Sequence, residues 1–143
     1  MATFVIVHGA FSGAWAWNKV VAPLLRAGGH AVHAVTLSGL GERSHLASPE
    51  VDLDTHVQDV VNVLFCEDLR DVILVGHSYG GMVITAVVDL VPERVRQLVY
   101  LDAAVPRDGQ SFLDLRPGMR EELSARVLRE GRRLAATGWP HSR

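Results

Sequence analysis

Four short β-branched runs punctuate this 143-residue chain, with helical spacing between them. The runs are TFVIV (Thr3 to Val7), AVHAVTL (Ala31 to Leu37), DVILVG (Asp71 to Gly76) and VRQLVYLDA (Val95 to Ala103). Short, nearly continuous apolar runs of this kind are what strands buried on both faces of a parallel sheet look like. Between the first two lies WNKVVAPLLRAGG, helical up to a C-cap at Gly28 and Gly29. Between the second and third, Leu53, Val57, Val60, Val61 and Leu64 fall on one face of a helix, with Asp52 or Asp54 as N-cap. YGGMVITAVVDLV is a third helix, stopped by Pro92. Strand–helix alternation of this kind requires parallel pairing, right-handed crossovers and helices on both faces, so the fold class is α/β. The first strand of an open doubly wound sheet lies inside it, which sets the expected order as two, one, three, four.

The third run leads directly into GHSYGG, Gly76 to Gly81. Gly-x-Ser-x-Gly between a strand and a helix is the pattern of a very tight turn that strains the serine backbone and lifts its hydroxyl above the carboxyl end of the sheet. Only small side chains fit two residues before and two after, hence Gly76 and Gly80. Ser78 then sits at a helix N-terminus, where free N–H groups favour developing negative charge. HGAF, His8 to Phe11, follows the first strand. A tetrahedral intermediate needs two N–H donors. Tyr79 offers one and the loop offers the other at Ala10, with Gly9 letting the backbone come close.

Composition narrows the class. Fourteen Lys and Arg against sixteen Asp and Glu give a net charge of −2, with no long basic run, so nucleic acid is not the expected partner. The N-terminus shows no basic leader, and its apolar run is too short for a signal or a membrane span; the expectation is a cytoplasmic protein without a membrane partner. A single Cys66 excludes an internal disulfide, and no Cys/His group has zinc spacing, so neither metal nor cofactor is expected. GLGERS lacks the third glycine and the following helix of a dinucleotide site.

FVIVHGAFSGAWAW, LSGLGERSHLASPEVDLDTHVQDVV, VILVGHSYGGMVI and LVYLDAAVPRDGQS together resemble the α/β-hydrolase fold. More narrowly they resemble its small esterase branch: methyl-salicylate-type, aryl-ester and pyrethroid-type esterases and the hydroxynitrile lyases. The resemblance covers about Thr3 to Ser111. It implies Ser78 as nucleophile, the Ala10 and Tyr79 amides as oxyanion hole, and a pocket near Phe11, Ser12 and Asp102. It also implies a triad acid and histidine on later strands, which these 143 residues do not supply. Residues 1–111 are thus expected to be the N-terminal part of the core. Residues 112–143 read as an atypical tail, helical from about Pro117 to Leu134, or as the start of a lid, and the whole as a C-terminally truncated or frame-changed form. The sheet edge left open would allow self-association.

Three readings follow. The first is a carboxylic-ester hydrolase acting on small-molecule apolar or aryl esters. The second is a catalytically silent remnant that binds a ligand or partner. The third, a hydroxynitrile lyase, is disfavoured because such lyases carry threonine where Gly9 stands. As substitute bases or acids, Asp102 reads as a structural carboxylate, His77 as pointing away from Ser78, and His8 as packing. His45 is expected over the pocket mouth, and His141 has no context. His30, His33 and His56 read as strand-edge or helix-surface residues, and Cys66 as a packing residue. Trp15, Trp17, Phe11 and Met82 fit pocket and core equally.

Overall fold

In the computed structural model, residues 1–115, Gly118 and Glu121 are described. Four strands form one parallel sheet: β1 (Thr3–Val7), β2 (Ala31–Val35), β3 (Val72–Ser78) and β4 (Val95–Ala103), in the order β2-β1-β3-β4. Their connections are carried by α1 (Ala14–Asn18), α2 (Val21–Ala27), α3 (Leu53–Cys66) and α4 (Gly80–Leu90). The expected fold class and strand order are both present. Of the expected tail, only a 3-10 turn at Leu113–Leu115 falls clearly within the described residues; the helix from Pro117 to Leu134 and His141 lie largely or wholly outside them.

The pleat divides the core in two. Val5, Val7 and Leu74 point to one face and pack with Val57, Val60, Val61 and Leu64 of α3 and Val83, Ile84 and Val87 of α4. Ile6, Val32 and Val75 point to the other face and meet Ala22, Leu25 and Trp17 of α1 and α2. Each buried valine or leucine contributes roughly 1.5–3 kcal/mol relative to exposure, so both faces are tightly held. Met82 is buried, and Trp17 packs against the second cluster, which makes both core residues.

Two expected elements differ in extent. The first helix is broken at Lys19 and Val20, where Val20 is non-helical (φ −130°, ψ −58°). Pro23 has no N–H to give to the Lys19 carbonyl, so the helix must restart. β2 ends at Val35, two residues early, because the Leu37 N–H donates to His8 Nε2 (3.0 Å) and not to the ladder. Asp52 is the N-cap of α3, in a reciprocal box with Thr55; the bond from the Thr55 N–H holds the Asp52 carboxyl below its ordinary range. Cys66 is exposed, which corrects its reading as a packing residue: it lies off the apolar stripe of α3.

The two sheet edges are unlike. The Ala31 N–H donates to the Ala2 carbonyl, so Val32, Ala34 and Thr36 turn their backbone groups outward. Arg26 donates to the Val32 carbonyl and Arg43 to the Thr36 carbonyl, each at 3.0 Å. At the other end β4 pairs only with β3 among the described residues, and Leu101 is 47% exposed.

Behind β3, the buried Arg94 donates to the carbonyls of Leu64 and Leu69 (both 3.0 Å) and lies over the Phe65 ring. It adds a second donor at the C-terminal end of α3, where the Leu64 carbonyl also accepts from the Leu69 N–H (2.8 Å). Arg94→Ala should cost about 2–4 kcal/mol in urea unfolding, since it removes two hydrogen bonds from a buried guanidinium together with its packing on Phe65; a loss below the error of the measurement would refute this role. The β4 edge, which no other described strand covers, carries its own expectation. The 143-residue chain should self-associate or bind a hydrophobic dye, and a monodisperse, dye-silent monomer with a sharp thermal transition would count against it.

Candidate active site

β3 delivers Ser78 to the top of the sheet and α4 begins two residues later, so the serine occupies the junction itself. Its φ is +52°, a left-handed conformation that costs a non-glycine residue on the order of 1–3 kcal/mol. The turn closes so tightly that a Cβ on Gly76 would lie 2.7 Å from the Gly80 carbonyl oxygen, and one on Gly80 would run into the Val7 carbonyl. Those two close approaches explain the Gly-x-Ser-x-Gly spacing physically.

The loop after β1 lies against this turn. A Cβ on Gly9 would stand 3.2 Å from Ser78 Cβ. Gly9 to Ser12 is itself a turn, closed by the Ser12 N–H donating to the Gly9 carbonyl (3.3 Å). Phe11 and Ser12 lie within it, partly buried. The N–H groups of Ala10 and Tyr79 make no hydrogen bond to another described residue, and neither does Ser78 Oγ.

His8 holds the loop from beneath. It is fully buried, and its Nε2 accepts from Leu37 N–H, so the proton sits on Nδ1, which donates to the Gly9 carbonyl (2.6 Å). Burial lowers its pKa to about 4. With both nitrogens committed, it is a structural residue. His77 packs edge-on against Trp17 (5.7 Å between ring centroids), on the sheet face away from α3. Asp102 is exposed in a β-bulge: Leu101 pairs with His77 and Ala103 with Ser78, leaving Asp102 unpaired at φ +45°. His45 is exposed on a 3-10 turn at Gly41–Leu46.

His56 departs from its expected place. It is buried, not on the helix surface. Its Nε2 donates to the Ser38 carbonyl (2.9 Å), and its Nδ1 accepts from the Tyr79 hydroxyl (2.8 Å). Ser38 in turn gives its N–H (2.6 Å) and its hydroxyl (2.8 Å) to Asp59. Burial, assisted by the charge of Asp52, pushes the Tyr79 phenol above its ordinary range, so it remains a donor. The signal was available: position 56 lies three residues after Leu53 and four before Val60, within the apolar stripe.

A groove of about 690 Å³ lies elsewhere, along the outer edge of β2, between Arg26, His33, Glu42 and Asn62; Ser78 does not line it. Among the described residues no group of three or more His, Cys, Asp or Glu could hold a metal, and no helix is long and apolar enough to cross a membrane.

Comparison with known proteins gives a consistent pattern. The profile of the alpha/beta hydrolase family matches residues 4–143. A carbendazim hydrolyzing esterase of Nocardioides sp. (strain SG-4G) is 49% identical over 129 residues, which is 90% of this chain and 53% of that protein. An alpha-hydroxynitrile lyase of Arabidopsis thaliana is 36% identical over 104 residues, covering 72% of this chain and 40% of the lyase. Among solved structures, an extracellular alpha/beta-hydrolase from a Paenibacillus species superposes with a TM-score of 0.79 at 35% identity, over 89% of this chain and 51% of its own. The chain thus spans about half the length of such relatives.

The buried His8 carries a pH signature. Its pKa falls from 6.5 to about 4 on folding, so between those values the unfolded chain binds a proton that the folded chain refuses. Its contribution is complete above pH 6.5 and is lost as pH falls toward 4, a difference of roughly 3 kcal/mol. His8→Gln should flatten the stability profile between pH 6.5 and 4; an unchanged slope would show that His8 is not the group responsible.

Proposed function

Because this chain belongs to the alpha/beta hydrolase family, whose profile spans nearly all of it, we propose that it is the nucleophile-bearing part of a serine carboxylic-ester hydrolase for small apolar or aryl esters. The observation that carries the reading is the strained Ser78 (φ +52°) between two glycines in backbone contact, with Gly9 against its Cβ. Ser78 Oγ attacks the ester carbonyl carbon and gives up its proton to a base. The resulting oxyanion accepts from the N–H groups of Ala10 and Tyr79. Collapse expels the alcohol or phenol, and water then releases the acid from the acyl-serine. Similar proteins named as esterases support this substrate class. Gly9 offers no hydroxyl beside Ser78, which weighs against lyase chemistry despite the lyase relative.

No described residue is hydrogen-bonded to Ser78 Oγ. That favours a second reading, a catalytically silent remnant that holds a ligand or partner in the same cleft. The two readings separate on rate. With the oxyanion hole alone, this chain should hydrolyse a p-nitrophenyl ester on the order of a thousandfold faster than water does. Ser78→Ala should change that rate by less than about tenfold, since an unactivated serine is barely nucleophilic. A fluorophosphonate should label Ser78 slowly or not at all. Gly9→Val, which pushes a branched side chain onto Ser78, should return the rate to that of buffer. A wild-type rate equal to buffer would favour the silent remnant. Fast stoichiometric labelling, abolished by Ser78→Ala, would show that a base acts on Ser78 within this chain.

A further inference from the structure

We propose that His56 is a positioning residue for the turn at Ser78, acting through the Tyr79 hydroxyl on the backbone N–H that faces the oxyanion. The chemistry rests on the ester-hydrolase reading; the geometry rests on contacts of α3 that are independent of it.

Tyr79 follows the strained serine and caps α4. A peptide N–H without a hydrogen-bond partner is aimed only by what holds the atoms around it, and here the side chain does much of the holding. The Tyr79 ring lies between two others, edge-on to His56 (centroids 5.6 Å apart) and to Phe112 (5.5 Å). Its hydroxyl is fixed by His56 Nδ1 at 2.8 Å. His56 cannot turn to release it, because its other nitrogen is bound to the Ser38 carbonyl at 2.9 Å. Ser38 cannot move either, because Asp59 takes both its N–H and its hydroxyl.

His56 and Asp59 stand three residues apart on α3 and so share a face. That face grips the loop after β2 with one residue and reaches the turn at Ser78 with the other. The donor sequence is consistent from end to end: Tyr79 O–H to His56 Nδ1, His56 Nε2–H to the Ser38 carbonyl, Ser38 to the Asp59 carboxylate. No buried side-chain polar atom among the described residues is left without a partner. A fully satisfied polar chain holds one geometry where an apolar contact would tolerate several.

The variants Tyr79→Phe, His56→Ala and their double test this in the 143-residue chain with a p-nitrophenyl ester as probe. Each single change should lower kcat by about tenfold and leave KM within about twofold, because a mis-aimed donor is lost to the transition state and not to binding. The double should be no worse than the poorer single, since both break the same link. His56→Gln can donate to Ser38 and accept from Tyr79 at once, so it should keep a near wild-type kcat. Losses that add in the double, or that track thermal stability with glutamine no better than alanine, would overturn the proposal. Where His56→Ala does not fold, Tyr79→Phe and His56→Gln carry the comparison. If the wild type turns over no faster than buffer, the ester reading fails and the positioning role is read by NMR. The Tyr79 amide cross-peak should be single and sharp in the wild type and in His56→Gln, and shifted or broadened in His56→Ala; an unmoved peak in His56→Ala would sink the proposal.

Discussion

Where β3 turns into α4, the chain passes within contact distance of itself and of β1. Gly76 meets the Gly80 carbonyl, and Gly80 meets the Val7 carbonyl, with no room for a methyl group at either place. These are backbone contacts, so no repacking of side chains relieves them. They set the height of Ser78 above the sheet and the start of α4, and they bring the Gly9 loop against the serine. The strain at Ser78 is tolerable because β1 and β4 clamp β3 from both sides over most of its length.

Around that turn the polar residues divide into two kinds of holder. His8 works along the sheet, tying the end of β1 to Leu37 beyond β2. His56 works across layers, tying α3 to the start of α4 and to the loop at Ser38. Both are buried, and both have their tautomer dictated by an obligate partner: a backbone donor for His8, a backbone acceptor for His56. Histidines close to a strained serine invite a catalytic reading, yet the partners of these two make them scaffolding.

How much of this was legible in the sequence follows from where the interactions run. β4 was readable to its ends because β-branched and aromatic residues crowd it and Pro92 precedes it. The strand order followed from the alternation together with the rule that the first strand of an open doubly wound sheet lies inside it. The glycine spacing announced the turn because a local steric rule writes itself into a local pattern. Arg94 left no such trace: its carbonyl partners are 30 and 25 residues away, and an arginine after a proline looks like any surface charge. His56 lies within the apolar stripe of α3, but a polar side chain there reads as a surface residue because the partners that permit its burial, Ser38 and Tyr79, are distant in sequence. Cys66 is the opposite case: its residue type suggests packing, but it lies beyond the stripe and is exposed.

The unlike edges of the sheet have a consequence for how the molecule is made. The arginine bonds that seal β2 span only six and seven residues of chain. Such short-range contacts can form as soon as their segment leaves the ribosome, before β3 has emerged. Two outward carbonyls of the β2 side are therefore covered early, which favours the addition of a new strand from the other direction. β1 serves as the template for β3, and β3 for β4, so strand addition runs one way, in the order of synthesis on that side. A nascent chain with this asymmetry offers its next strand one edge with carbonyls already taken and one without.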